Sequence, residues 1–541
     1  MKKIILFGCL LFVCLFTGCF KDEGSYDYKD LNAPTWLFDV NAAPLRVVCN
    51  EGEVAKFRGH NYFKWERDSA LHEANVRYEW KLRDVVFGRE ADFDIETDSL
   101  IKILKSENPF FEGGYVGNFS IIDQTTGIVF MARFTVKINS RFREYDLLVL
   151  SEMGEQSRLS HVIRRSKYAP DGVTIVYDFR LADENIFKTV NGSDIPGKPI
   201  TLAKAMAMNV GSLGSMTILT DKVAYVINNE NMVKVSELKD EFLNGTPENL
   251  NVVDRHDCDN YTFITTRDGR IFRRIMSENY LGGKFVSEPY SVDTIGCKVL
   301  TFGHSASGIV PVPCYDEKNR RVLMIDFKLV YVWEPAFQMI RTNFIEPVTK
   351  GVGNKDNIPP VWGMPEGTEV LYLARYNTAD WQREWYTIFY NDSGGNTYIG
   401  DFALSPVNSC LELTGKNVVP FPGGSLDKSS LFLTTVINGG PQKIVIYTKG
   451  NEIRYVDRNE DQDYPFIRCE SKVTYIGYIT YYGYTRDYNK LMVGLENGKF
   501  LIYEFDRNNF QLPVKLLSEF NLGGKVVSAK ELYNVYGGDA Y

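Results

Sequence analysis

Asp457, Asn459, Asp461 and Asp463 place oxygen-bearing side chains at alternate positions of one short segment, the pattern by which a loop gathers a hard cation such as calcium. Gln462 stands at the sixth position, where such a loop turns on glycine, and Arg468 stands at the twelfth, where a bidentate glutamate is expected. Calcium is the one cofactor this segment suggests. A second run, Asp254-Arg255-His256-Asp257-Cys258-Asp259, is the densest cluster of ligand types in the chain. Neighbours on an extended strand point to opposite faces, so the run reads as a solvated loop rather than a metal site.

Flat rings are the stronger lead to binding. Trp381 and Trp385 fall on one face if the surrounding segment is a strand, and Tyr478, Tyr481, Tyr482 and Tyr484 crowd a single stretch. Exposed aromatic faces stack on sugar rings and on apolar peptide side chains at low entropic cost. The same residue types also fill the interfaces between packed sheets, and both readings stay open for each of them.

Signatures of common catalysis are missing from the sequence. The five histidines, His60, His72, His161, His256 and His304, show no His-Glu-x-x-His spacing, and there is neither a Gly-x-Ser-x-Gly elbow nor a phosphate loop. Carboxylates drawn from separate segments can still form a glycosidase pair, and 69 Asp and Glu leave that reading open. The formal charge of −8 argues against nucleic acid or an anionic membrane surface as partner, since both call for a basic face.

The N-terminus carries an address. Lys2 and Lys3, an apolar run from Ile4 to Phe16 and then Thr17-Gly18-Cys19 form a lipoprotein signal, with Phe16 where leucine is more usual. The run falls short of the ~20 apolar residues that span a bilayer. Cleavage before Cys19 leaves a cysteine whose thiol takes lipid; an uncleaved anchor helix is the alternative, and both tether a soluble body to a membrane. Lys21, Asp22 and Glu23 follow, and resemble the tag that directs Bacteroidetes-type lipoproteins to the outer face of the outer membrane. Residues 1–18 are thus read as signal peptide and 19–34 as lipidated tether. Six further cysteines, Cys49, Cys258, Cys297, Cys314, Cys410 and Cys469, are too irregularly spaced for a disulfide framework.

Strands must position all of these residues. Aromatics make up 13% of the 541 residues, a bias that pleated surfaces favour. Val76, Tyr78, Trp80 and Leu82 alternate with period two, which makes Trp80 the core tryptophan of a small sandwich. Residues 117–123 and 128–138 read as two strands joined by the polar turn Gln124-Thr125-Thr126-Gly127. Together these predict an immunoglobulin-like sandwich over residues 35–142.

Tyr78-Glu79-Trp80, the segment from Gly117 to Asp123 and Thr126-Gly127 resemble the polycystic-kidney-disease (PKD) repeat, although Lys81-Leu82-Arg83-Asp84 replaces its Gly-Asp-Gly turn. With the opening from Cys19 to Tyr28 and the segment Asp146-Leu147-Leu148-Val149-Leu150-Ser151-Glu152, the first 165 residues or so resemble the PKD-like family of Bacteroidetes lipoproteins. That resemblance implies a surface lipoprotein associated with nutrient uptake systems, and it implies no catalytic residues.

Beyond residue 143 hairpins recur. Apolar runs followed by a turn glycine or asparagine appear at Gly154, Asn228, Gly269, Gly395, Gly450 and Gly498, with a further apolar run at 322–325. Steps of 55 residues from Gly395 to Gly450 and 48 from Gly450 to Gly498 suit one four-stranded blade per repeat, predicting a β-propeller of about seven blades over residues 143–541. A stack of further sandwiches is the alternative. Leu202 to Met208 and Glu237 to Leu243 are the only helical candidates.

The reading is an all-β, non-catalytic lipoprotein on the outer membrane that binds a glycan or peptide for an uptake complex. A propeller glycosidase or lyase, and a scaffold for partner proteins, are the alternatives.

Overall fold

The computed structural model describes residues 33–40, 44–66, 69–106, 109–111, 113–143, 145–168, 170, 175–205, 213–258, 261–275, 283–302, 312–333, 337–348, 358–376, 384–407, 410–434, 444–479 and 489–532. Cys19, Lys21, Asp22 and Glu23 lie outside them, as do Trp381, Tyr481, Tyr482 and Tyr484. The chain divides into two compact units, the first ending at Asn139 and the second beginning at Ser140. Both are built of strands.

Unit 1 runs β1 (Thr35–Trp36), β2 (Leu45–Asn50), β3 (Val54–Arg58), β4 (Phe63–Lys64), α1 (Ser69–Asn75), β5 (Val76–Leu82), β6 (Val85–Gly88), β7 (Asp92–Glu96), α2 (Thr97–Leu104), β8 (Tyr115–Asp123) and β9 (Val129–Asn139). A five-stranded sheet has the order β2-β9-β8-β5-β6, with β2 parallel to β9, while β3 pairs with β7 and β1 with β4. The period-two reading of β5 holds, since Tyr78, Trp80 and Leu82 are buried and Val76 packs against the same core. Trp80 is fully buried; its ring stacks on Phe119 with centroids 4.2 Å apart and its indole N–H donates to the Glu90 carbonyl at 3.0 Å. Gly117 lies beneath the Phe134 ring, where a Cβ would collide with it. At the predicted turn, the Asp123 carboxylate accepts the backbone N–H groups of Thr125 (2.7 Å) and Thr126 (2.9 Å).

Unit 2 forms seven antiparallel sheets among the described residues. The first holds β10 (Leu147–Met153), β11 (Gln156–Tyr168) and β12 (Ile175–Asp183); after it come α3 (Ile186–Asn191) and β13 (Ile195–Pro196), which pairs with β11. The second is β14 (Pro199–Ala205), β15 (Ser215–Thr220), β16 (Ala224–Asn228) and β17 (Lys234–Glu237), and the third β18 (Val252–Cys258), β19 (Tyr261–Thr266) and β20 (Ile271–Ile275). The fourth is β21 (Val299–Phe302), β22 (Val312–Asp316), β23 (Arg321–Trp333) and β24 (Phe337–Pro347). The fifth is β25 (Glu369–Tyr376), β26 (Glu384–Asn391), β27 (Thr397–Val407) and β28 (Cys410–Pro420), and the sixth β29 (Phe432–Thr434), β30 (Ile444–Lys449), β31 (Glu452–Asp457) and β32 (Gln462–Arg468). The seventh is β33 (Val473–Tyr478), β34 (Lys490–Leu495), β35 (Lys499–Glu504) and β36 (Lys515–Asn521). A last strand, β37 (Lys525–Glu531), leaves the seventh sheet and pairs antiparallel with β10, completing the first.

Each sheet shares an apolar core with the next. Leu148 and Leu159 of the first meet Met216 and Ile218 of the second. Leu219 and Val226 meet Ile264 and Phe272 of the third, and Phe263 meets Cys314 and Leu323 of the fourth. Met324 then meets Tyr386 and Ile388 of the fifth, and Phe389 meets Val445 and Val456 of the sixth. Ile446 and Ile453 meet Leu491 and Val493 of the seventh, whose Met492 and Ile502 pack on Leu147 and Val149 of the first. The succession of cores returns to its start.

The hairpin signals are found where expected, with Gly450 (φ +64°) and Gly498 (φ +90°) taking the left-handed backbone of tight turns that a Cβ disfavours. Three expectations are corrected. Residues 202–205 of the first helical candidate belong to the strand β14, because Leu202 is drawn into the core between sheets, and its residues 206–208 lie outside the described ones. The second candidate is a single 3₁₀ turn, Leu238–Glu241, that buries Leu238 and Glu241. The run Asp254–Cys258 is not a loop but belongs to β18, where Arg255 turns inward and donates to Thr217 Oγ1 at 2.8 Å. Helices α1, α2 and α3, each of eight residues or fewer, are additional.

Candidate functional site: the first strands of unit 2

Strands of successive sheets lie against one another. β37 lies against β14, β14 against β18 and β18 against β21; β25 lies against β22 and β29, β29 against β33, and β33 against β37. Hydrogen bonds tie these strands across sheets. Tyr475 of β33 donates its hydroxyl to the Ala529 carbonyl of β37 at 2.5 Å, and Thr474 donates to the Val526 carbonyl at 2.6 Å. The Leu202 N–H of β14 donates to Ser528 Oγ of β37 at 3.2 Å. Thr434 of β29 donates its N–H to the Tyr372 hydroxyl of β25 at 3.2 Å. Burial pushes the phenols of Tyr372 and Tyr475 upward, so both remain neutral donors or acceptors.

Lys530 breaks this pattern. It sits on β37 opposite Leu148 and is half-buried. Its ammonium makes no hydrogen bond or ion pair among the described residues. Burial lowers its pKa from the ordinary lysine value, opposed by the carboxylates of Asp254 and Glu531. Glu531 is committed elsewhere, to a buried ion pair with Arg164 at 3.1 Å. Asp254, half-buried on β18, accepts the Arg255 N–H at 2.9 Å through one carboxylate oxygen.

A second polar cluster closes the first sheet. The buried Asp146 carboxylate accepts the Arg164 N–H (3.0 Å), the Arg143 N–H (3.2 Å), an Arg165 guanidinium N–H (3.2 Å) and His161 Nε2–H (3.0 Å). Arg164 lies over the Tyr177 ring at 4.7 Å, and the Leu532 N–H donates to the Asp146 carbonyl at 2.8 Å. These residues fasten the end of β37 to the start of β10. Asp146 stood in view in the sequence as the head of the Asp146 to Glu152 segment; its partners did not, since nothing local relates it to Leu532.

The candidate residues named from the sequence separate. Trp385 lies on β26 and packs, half-buried, against the core of the fifth and sixth sheets, and Tyr478 is buried at the end of β33 with Phe505 6.3 Å away. Of the four oxygen-bearing residues, Asp463 is gripped by Arg454 at 2.7 Å and accepts the Tyr447 hydroxyl at 2.7 Å. Asp461 contacts Arg458, and Asp457 accepts the Asn459 N–H at 2.8 Å. Among the described residues, no three His, Cys, Asp or Glu side chains gather in a way that could hold a metal. Cys49, Cys297, Cys314 and Cys469 are free thiols, and burial pushes Cys297 and Cys469 up to about 11.

Comparison with known proteins gives a match that crosses the boundary between the two units. The PKD-like family matches residues 19–199, which marks the N-terminal part of this all-β chain as a PKD-like domain. No curated protein matches the chain. Among solved structures, a quinonprotein alcohol dehydrogenase-like protein from Bacteroides thetaiotaomicron is 11% identical with a TM-score of 0.34, covering 93% of this chain and 99% of that one. A hypothetical selenium-binding protein from Sulfolobus tokodaii is 9% identical with a TM-score of 0.39, covering 72% of this chain and 93% of that one.

Proposed function

We propose that this chain is a non-catalytic binding lipoprotein of the outer membrane, held through Cys19 with Lys21, Asp22 and Glu23 as its export tag. A PKD-like sandwich precedes a propeller of about seven blades, closed by β37, which presents the binding surface for a glycan or peptide passed to an uptake complex. The observation that carries the reading is the continuous circuit of inter-sheet cores, with Lys530 of β37 making no hydrogen bond or ion pair among the described residues. An ion pair or hydrogen bond would normally satisfy such a group, and a ligand is what could do so here. The address rests on the apolar run before Cys19.

Two measurements test it. Labelled palmitate should enter the wild-type chain and not Cys19→Ala; uptake by the variant would remove the lipid anchor from the proposal. Screening the protein against glycans and peptides, with turnover followed alongside retention, should give retention without product. Released product would instead favour a glycosidase or lyase.

A further inference from the structure

We infer that the outward face of the five-stranded sheet of unit 1 docks on an anionic lipid surface. In β2, β9, β8 and β5 alternate residues build the apolar core, so the residues between them form a second, outward face. A sheet face turned to water is normally polar. This one exposes Val48 (54%), Val116 (59%), Val129 (53%) and Met131 (53%). Cations are set among them. The registers place Lys81, Asn118 and Arg133 in one row across β5, β8 and β9, and Val116, Thr135 and Arg46 in the next row across β8, β9 and β2. Arg77 stands on the same face, in line with Ile122 and Val129. Among the described residues the one carboxylate at the outward positions of these strands, Glu79, is held by Arg77 at 3.5 Å and by Arg89 at 3.6 Å. Arg46, Lys81 and Arg133 make no hydrogen bond or ion pair among the described residues. The formal charge of −8 belongs to the whole chain and conceals this basic face.

Exposed apolar side chains set among long cationic ones suit a bilayer interface, where Lys and Arg reach the headgroup phosphates while Val and Met rest at the acyl boundary. The choice of a membrane as occupant rests on the lipid-anchor reading. From Cys19 to Ala33 the chain reaches about 50 Å at most, which keeps unit 1 beside the bilayer and makes lipid headgroups the anions at highest local concentration.

The test is flotation of the full mature chain carrying Cys19→Ala, which takes no lipid, with vesicles of phosphatidylcholine alone and with vesicles in which part of it is replaced by phosphatidylglycerol. The anionic vesicles should bind at least tenfold tighter, and raising the salt should release the protein. Arg46→Gln, Lys81→Gln and Arg133→Gln combined should lose that preference. Val129→Ser with Met131→Ser should weaken binding to anionic vesicles and leave any binding of soluble polyglutamate unchanged. Melting curves of each variant show that it folds. Equal binding to the two vesicles, a preference retained in the folded triple variant, or unaltered vesicle binding after the Val129 and Met131 changes would overturn the inference. Tighter binding of polyglutamate than of anionic vesicles would overturn it too, and would assign the face to an acidic protein. Because the tested chain carries no lipid, none of these results touches the anchor, which the palmitate label tests separately.

Discussion

Asp146 and His161 are joined at 3.0 Å with both side chains sealed from solvent, one at the start of β10 and the other on the strand beside it. The carboxylate accepts from Nε2, which places the imidazole proton on that nitrogen, while Nδ1 has no hydrogen-bond partner and the ring lies 5.0 Å from Phe142. An orphaned buried nitrogen of this kind is tolerated because the surrounding network fixes the carboxylate from four directions.

Asp146→Ala removes that shared acceptor and strands Arg165, His161 and two backbone N–H groups together. Unit 2 should lose about 3–5 kcal/mol, as when one partner of a buried charged network is deleted. Chemical denaturation followed by tyrosine and tryptophan fluorescence checks it, and a loss below about 1 kcal/mol would show that the carboxylate is dispensable.

Arg458 and Asp401 form an ion pair at 3.2 Å between the sixth and fifth sheets, with both side chains buried. Asp401→Ala should cost about 3–5 kcal/mol, whereas replacing both residues by apolar ones of similar volume should recover much of the loss. A double-mutant cycle on unfolding free energies measures the coupling.

Trp80→Ala opens a large hole among Phe57, Phe119 and Phe134 and should destabilise unit 1 by about 3–5 kcal/mol. Near-ultraviolet circular dichroism and thermal unfolding would register it. Retention of the wild-type transition would mean the sandwich core lies elsewhere.

The Asp123 carboxyl is held below its ordinary value of 3.8, chiefly by the Thr126 N–H and then by that of Thr125. A lowered folded value stabilises the fold above the ordinary value, and the contribution disappears as pH falls through the lowered one. Asp123→Ala should therefore be less stable than wild type at neutral pH, with the gap closing below pH 3.8. A gap that persists at strongly acid pH would assign the effect to something other than ionisation.

Calcium addition should leave the melting temperature unchanged, because Asp461 and Asp463 are already engaged by arginines. A stoichiometric stabilisation abolished in Asp463→Asn would reverse this expectation.

Much of the strand pattern could be read in advance because its cause is local. The alternation from Val76 to Leu82 and the turn glycines at 450 and 498 encode their own geometry within a few residues. Leu202 looked helical because its neighbours are helix-tolerant, and only the sheet beside it decides otherwise. Lys530 carried no signal at all, because nothing in its local sequence on β37 sets it apart from the other residues of that strand. Arg255 and His256 were visible as a ligand-rich run, but the inward turn of Arg255 depends on Thr217, which lies in the preceding sheet.

β37 gives unit 2 a property of timing. The Arg164 to Glu531 contact joins residues 367 positions apart, and fixing two such distant points costs about 5 kcal/mol of chain freedom before any neighbouring contact repays it. A polypeptide made from its N-terminus therefore cannot lock this unit until β37 has been made. A nascent chain in that condition stays pliable through synthesis, and its closing contact is the last to form.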